Sequence, residues 1–78
     1  MKIIIYSTPR CIYCRKAKEF LDSKNISFEE RDVAKDKEVL NEMIKKSGQM
    51  GVPVIDIDGK IIVGFNRQEI EKVLESRK

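Results

Sequence analysis

Cys11 and Cys14 are the only two cysteines of the chain, and they stand in the run Thr8-Pro9-Arg10-Cys11-Ile12-Tyr13-Cys14. A hydrophobic run precedes the pair and helical periodicity follows it, which puts the first sulfur at a helix start. There the unpaired N–H groups and the helix dipole favour a thiolate, the form of cysteine that attacks. Cys11 is therefore the expected nucleophile, with Arg10, Arg15, Lys16 and Lys18 close in sequence to add positive charge. Cys14, one turn further into the helix, is the expected resolving thiol. Cys11 would open a substrate disulfide and form a mixed disulfide. Cys14 would then attack the Cys11 sulfur, free the reduced substrate and leave an internal disulfide. A pre-ionised thiol needs no general base, and the chain has no histidine to supply one.

Other readings of the pair are weaker. Two cysteines at a helix start are poorly placed to be inert core residues. A single zinc wants four ligands, and two cysteines without histidine do not provide them. Metal or iron–sulfur binding would then need a second chain or external thiols, with Cys11 contributing across a dimer. A redox-inactive scaffold has no use for both thiols.

The 78 residues make one small domain, 1–78. The net charge of +3 comes from sixteen basic and thirteen acidic residues that are interspersed, which describes a solvated surface. Nucleic-acid binding would want a denser basic stripe and exposed aromatics. The opening run Ile3-Ile4-Ile5 is far too short for a signal or membrane segment, so no membrane is expected and the cytoplasm is the expected location. In a reducing compartment a lone cysteine pair is catalytic more often than structural. Nothing in the pattern demands more than a monomer.

The elements that must position the thiols are legible. Residues 2–6 read as one stretch, apolar from Ile3 on and ending in Tyr6, as a strand buried on both faces should. A helix begins near Ile12 and carries Tyr13, Ala17, Phe20 and Leu21 on one face, with Asn25 as a left-handed stop. Residues 26–30 alternate like an edge strand. Asp36 opens and Gly48 closes a second amphipathic helix holding Val39, Leu40, Met43 and Ile44. Val52 to Ile57 and Lys60 to Val63 flank Asp58-Gly59, the residue pair of a two-residue hairpin turn. Asn66 caps the last helix, with Glu69 completing a capping-box-like pair and Phe65 stapling onto Ile70. The order is β-α-β-α-β-β-α. A crossover through the first helix makes strands one and two parallel, and the hairpin makes strands three and four antiparallel. The expected fold class is α/β, a four-stranded mixed sheet flanked by helices.

That order, with C-x-x-C at the first strand-to-helix junction, resembles the thioredoxin-like fold of the glutaredoxin family over nearly the whole chain. Three motifs carry the resemblance. Cys11-Ile12-Tyr13-Cys14 is close to the family's C-P-Y-C. Gly51-Val52-Pro53 stands where the family has T-V-P with a cis proline. Val63-Gly64-Phe65-Asn66 stands where it has G-G and an acidic residue. The resemblance implies thiol–disulfide oxidoreductase activity on protein disulfides, with no bound cofactor. It also implies a substrate-binding edge of Tyr13, Val52, Pro53, Gly64 and Phe65, in which the Val52 backbone pairs with an extended substrate. Glycine at 51 would keep that approach open, and Gly64 would either clear the groove or end a strand. Tyr13 is either a rim contact or a helix-face residue, and Phe65 reads as a staple residue ahead of a ligand contact.

Three departures bear on the electron source. Ile12 replaces a proline that would stiffen the site. Thr8 stands where a basic residue often holds the glycine carboxylate of glutathione, and Asn66-Arg67 replaces the acidic stretch that holds its γ-glutamyl end. Gly64-Phe65 is similar to small glutaredoxin-like proteins reduced by thioredoxin reductase. Glutathione and thioredoxin reductase are thus the two expected reductants, and a ribonucleotide reductase or a peroxiredoxin is among the expected protein substrates.

Overall fold

A computed structural model describes residues 2–76. Its elements are β1 (Ile3–Ser7), α1 (Ile12–Ser23), β2 (Glu29–Asp32), α2 (Lys37–Ser47), β3 (Val54–Ile57), β4 (Lys60–Val63) and α3 (Arg67–Ser76). The four strands form one sheet in the order β2-β1-β3-β4. β1 runs parallel to β2 and antiparallel to β3, and β3 is antiparallel to β4. The expected α/β architecture with a mixed sheet is the one observed.

The alternation of side chains along the strands divides the core in two. Ile3 and Ile5 of β1 join Ile55 and Ile57 of β3 and Ile62 of β4 under α1 (Ala17, Leu21) and α3 (Ile70, Val73, Leu74). Ile4, Tyr6 and Val54 face the other way, with Val33 and Met43 of α2. Every residue of β1 is buried, which is why its sequence is a continuous apolar run rather than an alternating one.

Local signals set the element ends. Asp36 Oδ1 accepts the Glu38 N–H at 2.9 Å at the start of α2. Gly48 closes it at φ +74°, its N–H donating to the Ile44 carbonyl at 2.7 Å. Asn25 takes φ +58° just past α1. Asp58 and Gly59 take φ +50° and +93° in the β3–β4 turn, and Asp56 Oδ1 accepts the Gly59 N–H at 2.7 Å. Asn66 Oδ1 accepts the Glu69 N–H at 3.1 Å, giving the capped start expected for α3.

Two strand boundaries differ from expectation. The second strand was expected over 26–30 and runs over Glu29–Asp32. The Ile26 N–H is spent on the Leu21 carbonyl at 3.0 Å, closing the end of α1, and Ile26 and Phe28 turn onto the core. Pairing with β1 begins only at Glu29, opposite Ile4. The third strand starts at Val54 rather than Val52, since Pro53 has no N–H to give to a ladder. No helix among the described residues is long and apolar enough to cross a membrane.

Ile55 is fully buried at the centre of β3, paired with Ile5. Ile55→Ala should cost about 3 kcal/mol of unfolding free energy through lost transfer energy and a residual cavity. Urea melts of the two proteins measure it. A loss below about 1 kcal/mol would mean the site collapses around the smaller side chain.

Candidate active site

The carboxyl end of β1 and the amino end of β3 meet through the pairing of Tyr6 with Val54. The loop from Thr8 to Cys11, the loop from Gln49 to Pro53 and the end of β4 therefore lie at one end of the sheet. The chain leaves β1 through a turn in which the Cys11 N–H donates to the Thr8 carbonyl at 3.3 Å. Cys11 is the N-cap of α1, extended at φ −85° and ψ 113°. Its Sγ takes the place of the usual serine, threonine or aspartate oxygen and accepts the Cys14 N–H at 3.1 Å. A donated N–H stabilises negative charge on sulfur more than it stabilises a neutral thiol.

The two sulfurs sit in different surroundings. Cys11 is half-buried and lines a small cavity of about 100 Å³ with Pro9, Arg10, Ile12 and Arg15. Cys14 is fully buried. Burial, then the hydrogen bond with the Cys11 sulfur, pushes its thiol up to about 12, against the opposite pull of a backbone hydrogen bond from Thr8 and the Lys18 charge. One sulfur is reachable and receives a hydrogen bond. The other keeps its proton.

The four basic residues near the pair do different things. Arg10 and Arg15 line the Cys11 cavity. Lys16 Nζ lies 5.4 Å from the centre of the Tyr13 ring. Lys18, expected to support Cys11, instead donates to Glu30 Oε2 at 2.6 Å, and its charge acts on Cys14. Glu30 also accepts from Ser7 Oγ at 2.8 Å, and these two donors, Lys18 first, hold its carboxyl below the usual carboxylate range.

The expected binding residues fall at the same end. Tyr13 is 60 % exposed on the first turn of α1. Val52–Pro53 is cis, and Pro53 is buried while Val52 is half-buried. The Val52 N–H and carbonyl make no backbone hydrogen bond among the described residues, whereas the Pro53 carbonyl accepts the Gly64 N–H at 2.8 Å. Gly64 stands at φ +81°, and a Cβ built there would meet nothing within 4 Å. Its positive φ favours glycine, and the space above it is open. Phe65 is half-buried against the cluster that contains Ile70 and meets Phe20 edge-on with centroids 6.2 Å apart, so packing accounts for it.

Sequence reasoning passed over two features. Ile12, Tyr13, Met50 and Val63 are the large hydrophobics exposed among the described residues, and all four lie at this end. Met50 fell between a helix stop and a motif, where periodicity says nothing. The second is Gln49, whose carboxamide lies across Gly51, with Oε1 accepting the Gly51 N–H at 2.5 Å and Nε2 donating to its carbonyl at 2.9 Å. The space above Gly51, expected to be open, is filled. Among the described residues no three histidine, cysteine, aspartate or glutamate side chains come together as a metal site would need.

Comparison with known proteins places the site in context. The model of the Glutaredoxin family matches residues 3–62. An uncharacterised glutaredoxin-like 8.6 kDa protein in the rubredoxin operon of Clostridium pasteurianum is 58% identical over 73 residues, spanning 94% of this chain and 97% of its own. Glutaredoxin 3 of Escherichia coli K12 is 43% identical over 60 residues, 77% of this chain and 72% of its own. Among solved structures, the glutaredoxin-like protein NrdH-redoxin from Escherichia coli, described there as having a thioredoxin-like activity profile, superposes with a TM-score of 0.82. It is 25% identical, and the match covers 94% of this chain and 95% of that one.

The raised Cys14 thiol makes a stability prediction for the reduced protein. The unfolded chain ionises this thiol near 9.0, whereas the folded chain holds the proton to about 12. The contribution is therefore whole below the ordinary value and is lost as pH climbs through that window. The unfolding free energy of the reduced protein minus that of Cys14→Ser should fall as pH rises from 8.5 to about 11. Urea melts across that range measure it, and a flat difference would contradict a proton held on buried Cys14.

Proposed function

This chain belongs to the glutaredoxin family, and we propose that within it the protein works as a dithiol oxidoreductase that reduces protein disulfides. The carrying observation is the inequality of the two sulfurs: Cys11 is reachable and receives the Cys14 N–H at 3.1 Å, and Cys14 is fully buried with its thiol pushed up.

The Cys11 thiolate attacks one sulfur of the substrate disulfide. That S–S bond breaks, the departing sulfur takes up a proton, and a mixed disulfide joins Cys11 to the substrate. Cys14 loses its proton and attacks the Cys11 sulfur. The mixed disulfide breaks, the second substrate thiol leaves, and Cys11–Cys14 is oxidised as two electrons pass to the substrate. Burial is the first reason that Cys14 resists ionisation, and the Cys11 sulfur adds two effects, a hydrogen bond and a charge of like sign. Once Cys11 is bound to substrate, both effects go, and the second attack becomes easier in the order the reaction needs.

An extended substrate segment lies along Val52, whose N–H and carbonyl have no backbone partner among the described residues. The exposed apolar side chains Ile12, Tyr13, Met50 and Val63 surround its path. Electrons return from thioredoxin reductase rather than glutathione. Three features support this source: Thr8 lacks the positive charge and Asn66-Arg67 the acidic charge that the family sets against glutathione's two ends, Gly64-Phe65 departs from the usual glycine pair, and a structural neighbour has a thioredoxin-like activity profile. A reduced cysteine pair of this kind works in the cytoplasm.

Two coupled assays test the reading: insulin reduction driven by thioredoxin reductase, and reduction of a glutathione mixed disulfide driven by glutathione with glutathione reductase. Turnover in the first should exceed the second by about tenfold or more. Cys11→Ser should abolish both. Cys14→Ser should abolish insulin reduction and leave attack on the mixed disulfide. Turnover by Cys11→Ser would overturn the assignment of the nucleophile, and faster turnover with glutathione would overturn the electron source.

A further inference from the structure

The loop between α2 and β3 must present Val52 to a substrate, yet it contains two residues with little to hold them, exposed Met50 and Gly51. What holds this loop is Gln49. Its carboxamide makes two hydrogen bonds to a single residue, accepting from the Gly51 N–H at 2.5 Å and donating to the Gly51 carbonyl at 2.9 Å. An amide that satisfies both backbone groups of one residue imitates the rung of a neighbouring strand. Behind it the anchor continues into α2. Gln49 Nε2 and its backbone N–H both lie 3.4 Å from Ser47 Oγ, and Ser47 Oγ lies 2.7 Å from the carbonyl of Met43, a core residue.

Glycine at 51 fits this arrangement. A Cβ built there would lie 2.7 Å from Gln49 Oε1, and the other nearby atom is Gln49's own amide carbon at 3.8 Å. A side chain at 51 would therefore meet Gln49 and nothing else, and would displace the carboxamide. The clamp and the glycine are one device.

We propose that Gln49 is a specificity-determining positioning residue: its carboxamide occupies the Gly51 rung and fixes the loop, so that an extended substrate pairs with the protein at Val52 alone. This rests on the proposed reaction at Cys11 and on Val52 as the docking residue. Because the carboxamide holds both backbone groups of Gly51, the residue before Val52, the Val52 N–H and carbonyl keep one direction, which fixes the substrate disulfide relative to Cys11. Because the loop is held before substrate arrives, less ordering is required on binding. Small disulfides too short to reach Val52 are indifferent to both effects.

The test compares two substrates, a disulfide-bearing extended peptide and the small aromatic disulfide dithionitrobenzoate, with Gln49→Ala, Gly51→Ala and the double variant. For Gln49→Ala, the ratio of kcat/KM for the peptide to that for the small disulfide should fall about fivefold, the loss lying in the peptide KM. Gly51→Ala should give the same fall by expelling the carboxamide, and the double variant should lose no more than either single one. Thermal melts show whether each variant is folded; if Gln49→Ala is not, Gly51→Ala carries the comparison. Equal losses on both substrates, no loss on either, or additive losses in the double variant would overturn the proposal. Failure of the unsubstituted protein to turn over either disulfide would instead overturn the proposed function itself.

Discussion

The hydrogen bond from the Cys14 N–H to the Cys11 sulfur joins the start of a helix to the reactive atom. A helix leaves its first N–H groups without partners, and most helices satisfy one with a side-chain oxygen. Here sulfur does that work, so the first turn of α1 cannot form properly without bringing N–H groups and their partial positive charge to Cys11. The same turn carries Cys14 inward to full burial. A single local geometry thus makes two chemically alike residues unequal. The unequal pair is what allows one sulfur to attack first and the other to follow.

The sheet holds that junction in place. β1 is sandwiched between two apolar clusters, so the point where it releases the chain toward Cys11 is fixed from both faces. On the α2 face a polar network runs through the packing. Tyr6 donates to Glu42 and accepts from Lys46 at 2.9 Å, Lys46 reaches Asp56 at 2.7 Å, and Arg31 pairs with Glu42. Burial, then the bond to Glu42, raises the Tyr6 phenol above its ordinary value. The network ties β1, β2 and β3 to α2, the helix from whose end the Gln49 loop departs. On the other face Ser7, at the last position of β1, joins Glu30 and Lys18. Both loops of the candidate site therefore leave from anchored ends.

The helices were legible because their signals are local. Asp36, Gly48 and Asn66 act on atoms within four residues of themselves, and the observed caps use them as expected. The hairpin at Asp58-Gly59 was legible for the same reason. The second strand was displaced because its alternating pattern, Ile26 and Phe28, answers to the core rather than to strand pairing, and the Ile26 N–H was needed to close α1. The cysteine pair was legible from spacing and context, but the partner of Lys18 was not. Residues 18 and 30 meet only because the α1 crossover lays β2 beside β1. Gln49 carried no signal at all, since a glutamine after a helix stop reads as ordinary loop.

The central claim is that the fold makes the two thiols unequal, and brief alkylation of the reduced protein tests it most directly. Iodoacetamide at neutral pH, followed by unfolding, a second isotopic label and peptide mass spectrometry, reports the order in which the sulfurs react. The account predicts that the first label sits on Cys11 and that Cys14 takes the second label only after unfolding. First label on Cys14, or equal labelling of both, would contradict it.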